Sequence, residues 1–222
     1  MIITFATQKG GVGKTTLAVA FANYLSLFRK KENKINVFDF DFQKSFYQKW
    51  EEDETLDKEK LYEVQKLEDS MIEDEDKSLI SLPRISDMKE SKEIYLFDLA
   101  GTLDDRYADV LIYSDYIVIP FEYSDVSVKS TLVFINLLGM IESGSDKIFV
   151  RSKYDKGYNY KNQDGMDTEL KKYGKLIDTP VYKRNVLQAI GTRELNYEQK
   201  RAVEPTFLEI INYINETAQI TI

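Results

Sequence analysis

Residues 9–16 read KGGVGKTT, and this glycine-rich stretch decides the fold around it. A β-rich apolar run at 2–6 precedes it, and a helical pattern at 14–30 follows directly, with Leu17 and Phe21 at helical spacing. Glycines let the backbone wrap closely and aim amide N–H groups at a ligand, and the positive end of the helix dipole adds to them. A strand, a glycine-rich turn and a helix in this order therefore predict a binding site for phosphate groups.

The loop also contains side chains that suit a bound triphosphate. Lys14 would reach the outer phosphates, and the hydroxyl of Thr15 would ligate Mg²⁺. The usual pattern G-x-x-x-x-G-K-[ST] is not met strictly, because Gln8 occupies the first glycine position. The loop residues predicted to bind the nucleotide are Gly10, Gly11, Val12, Gly13, Lys14, Thr15 and Thr16.

Outward from the loop, short β-rich runs alternate with longer helical patterns. Because hairpin turn signals are missing, the alternation predicts an α/β fold, with a mostly parallel sheet flanked by helices, as in a P-loop NTPase. The length suits a single domain over residues 1–222. The predicted strands are 2–6, 35–40, 94–99, 116–120, 147–151 and 176–182, and the later predicted helices are 126–141 and 205–217.

The composition limits the possible chemistry. The chain contains neither cysteine nor histidine, which excludes disulfides, thiolate nucleophiles, cysteine-based metal sites and Ser-His-Asp catalysis. Catalysis must then use carboxylates, lysines, backbone amides and a metal held by oxygen atoms. Phosphoryl transfer fits that set of groups.

The net charge of −8 is concentrated in one acidic segment, residues 51–77, which holds 13 acidic and 4 basic side chains. The side chains at helical spacing within it are Leu61, Val64, Glu68 and Met71. We therefore expect this segment to be a charged surface helix inserted between two strands.

A second segment, residues 147–201, is basic, with 13 Lys and Arg against 7 Asp and Glu. A basic surface can meet a polyanion even when the whole chain is acidic, so DNA binding stays possible. The alternative is an ordinary solvated face. The candidate DNA contacts are Lys153, Lys171, Lys172, Lys183, Arg184 and Arg193.

We expect a cytoplasmic protein. No apolar run reaches the roughly 18–20 residues that cross a bilayer, and the N-terminal sequence MIITFATQ lacks the features of a secretory signal.

The stretch KGGVGKTT, with Lys9 at its front, resembles the deviant Walker A motif of the ParA/MinD family of ATPases. FDFDFQKS at 38–45 is similar to that family's D-x-D-P-Q, with Phe42 in place of proline, and LFDLAGT at 96–102 stands at the Walker B position. The resemblance covers residues 1–125 well and the rest in outline.

In that family two subunits enclose two ATP molecules. The resemblance implies that Lys9 reaches across to the partner's phosphates, which would make ATP binding and dimerisation one event. It also implies that Asp41 orients the attacking water, with Asp39 supporting the site. Asp98 would hold Mg²⁺ through water, and the amide of Gly101 would sense the γ-phosphate. The catalytic candidates are thus Lys9, Lys14 and Asp41.

Among family members, the chain is most similar to the small plasmid-encoded type, because no helix-turn-helix extension precedes the first strand and Ser45 and Trp50 have the S-x-x-x-x-W spacing. This implies an ATP-dependent homodimer that binds DNA nonspecifically, is stimulated by a ParB-type adaptor, and lies on the nucleoid when ATP-bound.

Alternatives remain open at this point. SKYD at 152–155 is close to the guanine-selecting [NT]-K-x-D, with Asp155 facing the base, although we favour ATP over GTP.

A metabolic P-loop enzyme is a second possibility. A MinD-like positioning ATPase would need a basic amphipathic C-terminal helix, whereas residues 207–222 contain Glu209 and Glu216 and no Lys or Arg, so we expect no membrane partner.

Overall fold

The computed structural model describes residues 1–29, 34–66, 80–101, 104–161 and 163–222. Within these ranges seven strands form one sheet, and every paired strand is parallel to its neighbour. The predicted α/β class with a parallel sheet is therefore confirmed. The strands are β1 Ile2–Phe5, β2 Ile35–Phe40, β3 Glu63–Lys66, β4 Ile94–Leu99, β5 Tyr116–Phe121, β6 Asp146–Arg151 and β7 Lys175–Leu176, in the sheet order β3-β2-β4-β1-β5-β6-β7.

Helices connect the strands and cover both faces of the sheet. They are α1 Lys14–Phe28, α2 Ser45–Glu52, α3 Leu82–Glu90, α4 Ala108–Tyr113, α5 Asp125–Met140, α6 Gln163–Leu170 and α7 Tyr197–Ala218. Of the helices in the described ranges, none is both long and apolar enough to cross a membrane.

The last helix begins earlier than the sequence pattern predicts. The side chain of Asn196 accepts a hydrogen bond from the Gln199 amide, and the Gln199 side chain accepts one from the Asn196 amide, at 2.9 and 3.0 Å. This reciprocal pair satisfies two free N–H groups and starts α7 at Tyr197. The helix then continues through Pro205, where the predicted helix began.

The sheet separates two apolar cores. In β1 the side chains alternate, so that Ile3 and Phe5 pack with α1 and α7, whereas Ile2 packs on the opposite face with α3 to α6. The ring of Phe21 in α1 lies 5.7 Å from that of Phe5 and 5.1 Å from that of Phe207. Since α1 is held between the sheet and α7, the loop in front of it has a rigid support.

The prediction of an acidic surface helix at 51–77 is wrong for most of its described part: residues 51–52 end α2 and Asp53–Thr55 form one 3₁₀ turn, but no helix follows up to residue 66. Residues 63–66 form the edge strand β3, in which Val64 pairs with Val37. Tyr62 and Val64 are buried, whereas Glu63 and Gln65 are exposed, which is the period of a strand. Trp50 fixes this segment by donating a 3.0 Å hydrogen bond to the Tyr62 carbonyl. Glu68 and Met71 lie outside the described residues.

The other predicted strands are confirmed apart from the last. Only Lys175–Leu176 pair as β7, and Tyr182 forms a single isolated bridge with Tyr154. Because all strands are parallel, their carboxyl ends lie at one edge of the sheet, and ligands bind there in open α/β folds.

Candidate nucleotide-binding site

The loop between β1 and α1 has a backbone shape that requires glycine at two positions. Gly11 has φ 80° and Gly13 has φ 87°, in the left-handed region that side chains disfavour. Gly13 is the N-cap of α1, and neither a capping side chain nor an acidic residue occupies the first turn. The amide groups and positive dipole end of α1 are thus available to an anion. Val12 is buried beneath the loop.

Lys14 lies among carboxylates. Its amine is paired with Asp98 and lies 3.6 Å from an oxygen of Asp41 and 3.4 Å from the hydroxyl of Thr15. The side chain is almost fully buried, and a buried cation requires such partners. A phosphate group in the loop would therefore meet a lysine that is already held in place.

Asp39 and Asp98 are opposite each other in the register of β2 and β4, and both are fully buried. Burial raises the pKa of Asp98. Burial and the neighbouring charge of Asp98 raise the pKa of Asp39 to about 7. The Asp39 carboxylate accepts hydrogen bonds from the amides of Asp41, at 3.1 Å, and Tyr47, at 2.9 Å. Asp39 therefore positions Asp41 and the start of α2.

Asp41 follows β2 directly and remains partly exposed at the site. One of its oxygens accepts a hydrogen bond from the Gln43 amide at 2.9 Å, and the other faces Lys14. The carboxylate is fixed in direction and still accessible, which suits a group that orients a water molecule.

The site suits a magnesium ion that is shared with a nucleotide. One oxygen of Asp98 is buried and has no hydrogen-bond partner among the described residues, and the hydroxyl of Thr15 lies beside the same lysine. Within the described ranges, no group of three or more acidic, His or Cys side chains could hold a metal ion alone. Mg²⁺ commonly takes only one or two protein oxygens and completes its shell with phosphate and water, so this donor set fits it.

Lys9 makes its hydrogen bond outside the Lys14 cluster. Its amine donates a 3.0 Å hydrogen bond to the hydroxyl of Ser124, the N-cap of α5. The structure thus brings Lys14, Asp41 and Asp98 together, whereas Lys9 is bonded to Ser124 in the loop that follows β5.

Gly101 lies close to the front of the phosphate loop. A Cβ atom at Gly101 would be 3.4 Å from the Gly10 nitrogen and 3.5 Å from the Lys9 carbonyl carbon. The segment after β4 and the loop after β1 therefore approach each other as backbones. Gly10 itself has open space around its Cα.

A cavity of about 440 Å³ opens beside the loop. Thr16 and Leu17 form one wall and the segment 181–188 forms the opposite wall. Residues 181–188 are absent from the nucleotide site predicted from the sequence. Their position after the adjacent strands β6 and β7, at the ligand-binding edge, is the signal that could have identified them. A cavity of this size can hold a nucleoside.

Asp155 does not face this cavity. Its carboxylate accepts a 2.9 Å hydrogen bond from the Gly157 amide, and Asp155 is not among the described residues that line the cavity. Its side chain stabilises the turn that it belongs to.

The predicted DNA contacts have different locations. Arg193 is buried and donates to the carbonyls of Trp50 and Asp53, at 3.2 and 3.3 Å, so its prediction as a DNA contact is wrong. Lys153 and Lys183 line the nucleotide-sized cavity.

The remaining basic candidates lie on the surface. Lys171 and Lys172 are exposed after α6, and Lys172 pairs with Glu169 at 2.6 Å. Arg184 is exposed, lines the first cavity, and also shares a second depression, of about 360 Å³, with Glu198 and Arg201. Arg201 is not among the DNA contacts predicted from the sequence.

Comparison with known proteins gives a family match. The family model described as the CobQ/CobB/MinD/ParA nucleotide binding domain matches residues 3–198. None of the curated proteins matches the sequence.

Solved structures are similar over nearly the whole chain. A protein from Borrelia burgdorferi, described as a plasmid partition protein bound to AMPPNP, has a TM-score of 0.72 and 20% identity, covering 96% of this chain and 98% of that one. The pNOB8 ParA bound to nonspecific DNA has a TM-score of 0.60 and 16% identity, covering 97% of this chain and 98% of that one. The MinC:MinD cell division complex from Aquifex aeolicus has a TM-score of 0.64 and 16% identity, covering 95% of this chain and 96% of that one. At these identities the similarity shows a shared fold.

Proposed function

Because this chain belongs to the CobQ/CobB/MinD/ParA nucleotide-binding family, we propose that it is a Mg²⁺-dependent ATPase of the ParA type, which uses ATP to partition DNA. The proposal rests on one observation. Lys14, Asp41 and Asp98 converge at the base of a glycine loop that precedes an uncapped helix N-terminus.

Each group has a role in ATP hydrolysis. The amides at the start of α1 hold the phosphates, and Lys14 neutralises the charge that develops on the transferred group. Asp41 orients the attacking water, and Asp39 holds Asp41 in place through its backbone amide. Thr15 and Asp98 would hold Mg²⁺, which would supply neutralisation of the phosphate charge.

ATP is the proposed nucleotide in preference to GTP. The Asp155 carboxylate, which would have to accept from a guanine base, is not among the described residues that line the cavity, and one of its oxygens is bonded to the Gly157 amide. The similar Borrelia burgdorferi structure is bound to AMPPNP, an analogue of ATP.

The proposed active form is a homodimer in which Lys9 acts on the partner's ATP. Support comes from the position of Lys9, whose amine contacts Ser124 and is separate from the Lys14 cluster. A cation outside that cluster can meet a second subunit that closes over the site, and a cation supplied in trans accelerates phosphoryl transfer.

The dimer is proposed to bind duplex DNA without sequence preference and to be stimulated by a ParB-type adaptor. Arg184 and Arg201 are exposed and share one depression with Glu198, and their guanidinium groups can donate to phosphate oxygens. The similar pNOB8 ParA is bound to nonspecific DNA. On this proposal the ATP-bound protein lies on the nucleoid.

DNA binding with ATP, with ADP and without nucleotide tests the proposal. We expect retention of duplex DNA only with Mg²⁺–ATP, and affinity that falls as salt rises because counterions are released. Arg201→Glu should weaken binding at least about tenfold, whereas Lys129→Glu, an exposed charge reversal on α5, should not. Lys14→Ala, which removes the cation at the phosphates, should bind neither ATP nor DNA. DNA binding that is independent of nucleotide, or insensitive to salt, would refute the proposal.

A further inference from the structure

The segment that follows β6 contacts the phosphate loop directly. The buried hydroxyl of Ser152 donates a 2.7 Å hydrogen bond to the carbonyl oxygen of Val12. The amine of Lys153 donates to the carbonyl oxygen of Gly11. Both contacts join parts of the chain that are far apart in sequence, so the loop after β1 is held from a different strand.

These contacts determine which way the neighbouring amides point. In a trans peptide the carbonyl oxygen of one residue and the N–H of the next point in opposite directions, and the described residues contain no cis peptide. With the Gly11 and Val12 carbonyls bonded to the segment after β6, the N–H groups of Val12 and Gly13 point the other way. Neither donates to a backbone group in the described part of the chain. Successive N–H groups left free in this manner form an anion-binding concavity.

The segment is itself firmly anchored. The Ser152 amide donates to the Phe121 carbonyl at 2.8 Å, at the end of β5. The Tyr154 amide donates to the Val181 carbonyl, and the Lys183 amide to the Tyr154 carbonyl, both at 3.0 Å. The segment therefore connects the phosphate loop to the opposite wall of the cavity.

Lys153 also has an unusual backbone. Its φ of 53° lies in the left-handed region that non-glycine residues rarely adopt. Such a conformation persists only where the surrounding contacts determine it, and it is typical of functional sites.

We propose that Ser152 and Lys153 are positioning residues that hold the phosphate loop in its anion-binding shape before a nucleotide arrives. The inference rests on the proposed function, because it takes a nucleotide as the ligand. The motif SKYD is then a brace for the loop, and not a reader of the base. Without the brace, the carbonyls of Gly11 and Val12 can turn toward the phosphate oxygens and repel them, so nucleotide affinity falls.

Calorimetry with Mg²⁺–ATP and with Mg²⁺–ADP tests the brace. Ser152→Ala leaves the buried Val12 carbonyl without its donor, and we expect about tenfold weaker binding of both nucleotides. Lys153→Met, which keeps the side-chain length and removes the amine, should weaken both by a similar factor. Ser152→Thr retains the hydroxyl and should restore affinity to within about threefold of wild type.

A matched control distinguishes the loss of the Lys153 hydrogen bond from the loss of a positive charge. Lys156→Met removes the same charge from the same segment, but the Lys156 amine lies over the Tyr182 ring, 4.7 Å from its centre, and should leave affinity unchanged. Thermal unfolding of each variant identifies a purely structural effect, which would lower the midpoint without weakening binding to the folded protein.

Each outcome is decisive. If the wild-type protein binds neither nucleotide, the proposed function fails. If it binds them and both Ser152→Ala and Lys153→Met bind equally well, the brace is refuted and the proposed function stands. If Ser152→Ala does not fold, Lys153→Met decides, because its side chain is partly exposed and can be replaced without a cavity.

Discussion

Asp39 is a fully buried carboxylate beside a second buried carboxylate, Asp98. Burial and that neighbour raise its pKa from 3.8 to about 7, although two backbone amides and Lys14 stabilise its charged form. The folded protein therefore keeps a proton on Asp39 at pH values where the unfolded chain has released it. It follows that Asp39 lowers the free energy of unfolding as pH rises from 3.8 to about 7, and that this loss is complete above that range.

Asp39→Asn removes this titration and should flatten the pH dependence of stability. Any fixed cost of the substitution, such as a lost backbone hydrogen bond, is independent of pH. Between about pH 5 and about pH 8 we expect the difference between variant and wild type to shift by about 2.5 kcal/mol in favour of the variant. Urea denaturation without nucleotide measures this shift. Parallel stability curves for the two proteins would contradict the pKa assignment.

The loop between β1 and α1 contains three glycines with different structural requirements, which makes a matched series. Gly10 has open space and no positive φ, Gly11 has φ 80° and open space, and Gly13 has φ 87°, with the Ser152 hydroxyl 3.3 Å from the position that a Cβ atom would take. Gly10→Ala should change the free energy of unfolding by less than about 0.5 kcal/mol. Gly11→Ala should lower it by about 1 kcal/mol through backbone strain, and Gly13→Ala by about 2 kcal/mol or more, because strain and contact add. Equal effects at all three positions would show that the loop shape is misassigned.

The sequence predicted the elements whose signals are local. The glycine loop and the aspartates at the ends of β2 and β4 mark one edge of the sheet, and the structure brings Lys14, Asp41 and Asp98 together there. The edge strand β3 was misread because Leu61 and Val64 happen to fit helical spacing. Only pairing with β2 and the anchor at Trp50 select the strand.

The wall formed by 181–188 and the brace at Ser152 could not be predicted in the same way. Both depend on contacts between segments that are distant in sequence, such as Ser152 with Val12. The burial of Arg193 against Trp50 could not be predicted either, because a basic side chain in a basic segment gives no sign of it.

At the scale of the whole molecule, the acidic and the basic segments of the sequence contribute strands at opposite edges of the sheet. The edge strand β3 belongs to the acidic segment, of which residues 51–66 are described, whereas β6 and β7 at the opposite edge belong to the basic range 147–201. The sheet thus separates these strands, although Arg193 of the basic range donates to the Asp53 carbonyl of the acidic segment.

At the scale of the assembly, the proposed mechanism requires Lys9 to act across a dimer. Lys9→Gln leaves each subunit's own loop complete, so it should bind ATP and fail to hydrolyse it. Asp41→Ala should also bind ATP and fail, because the attacking water is no longer oriented. The two inactive proteins therefore lack different parts of one composite site.

Mixing these two variants in equal amounts is the most direct test that two subunits hydrolyse ATP together. In a mixed dimer, the site on the Lys9→Gln subunit keeps its own Asp41 and receives Lys9 from its partner. Random pairing makes about half of the dimers mixed, each with one competent site of two, so about a quarter of wild-type activity should return. If mixed dimers form, as cross-linking or mass measurement can establish, and phosphate release stays at zero, Lys9 does not act in trans and the proposed mechanism is contradicted.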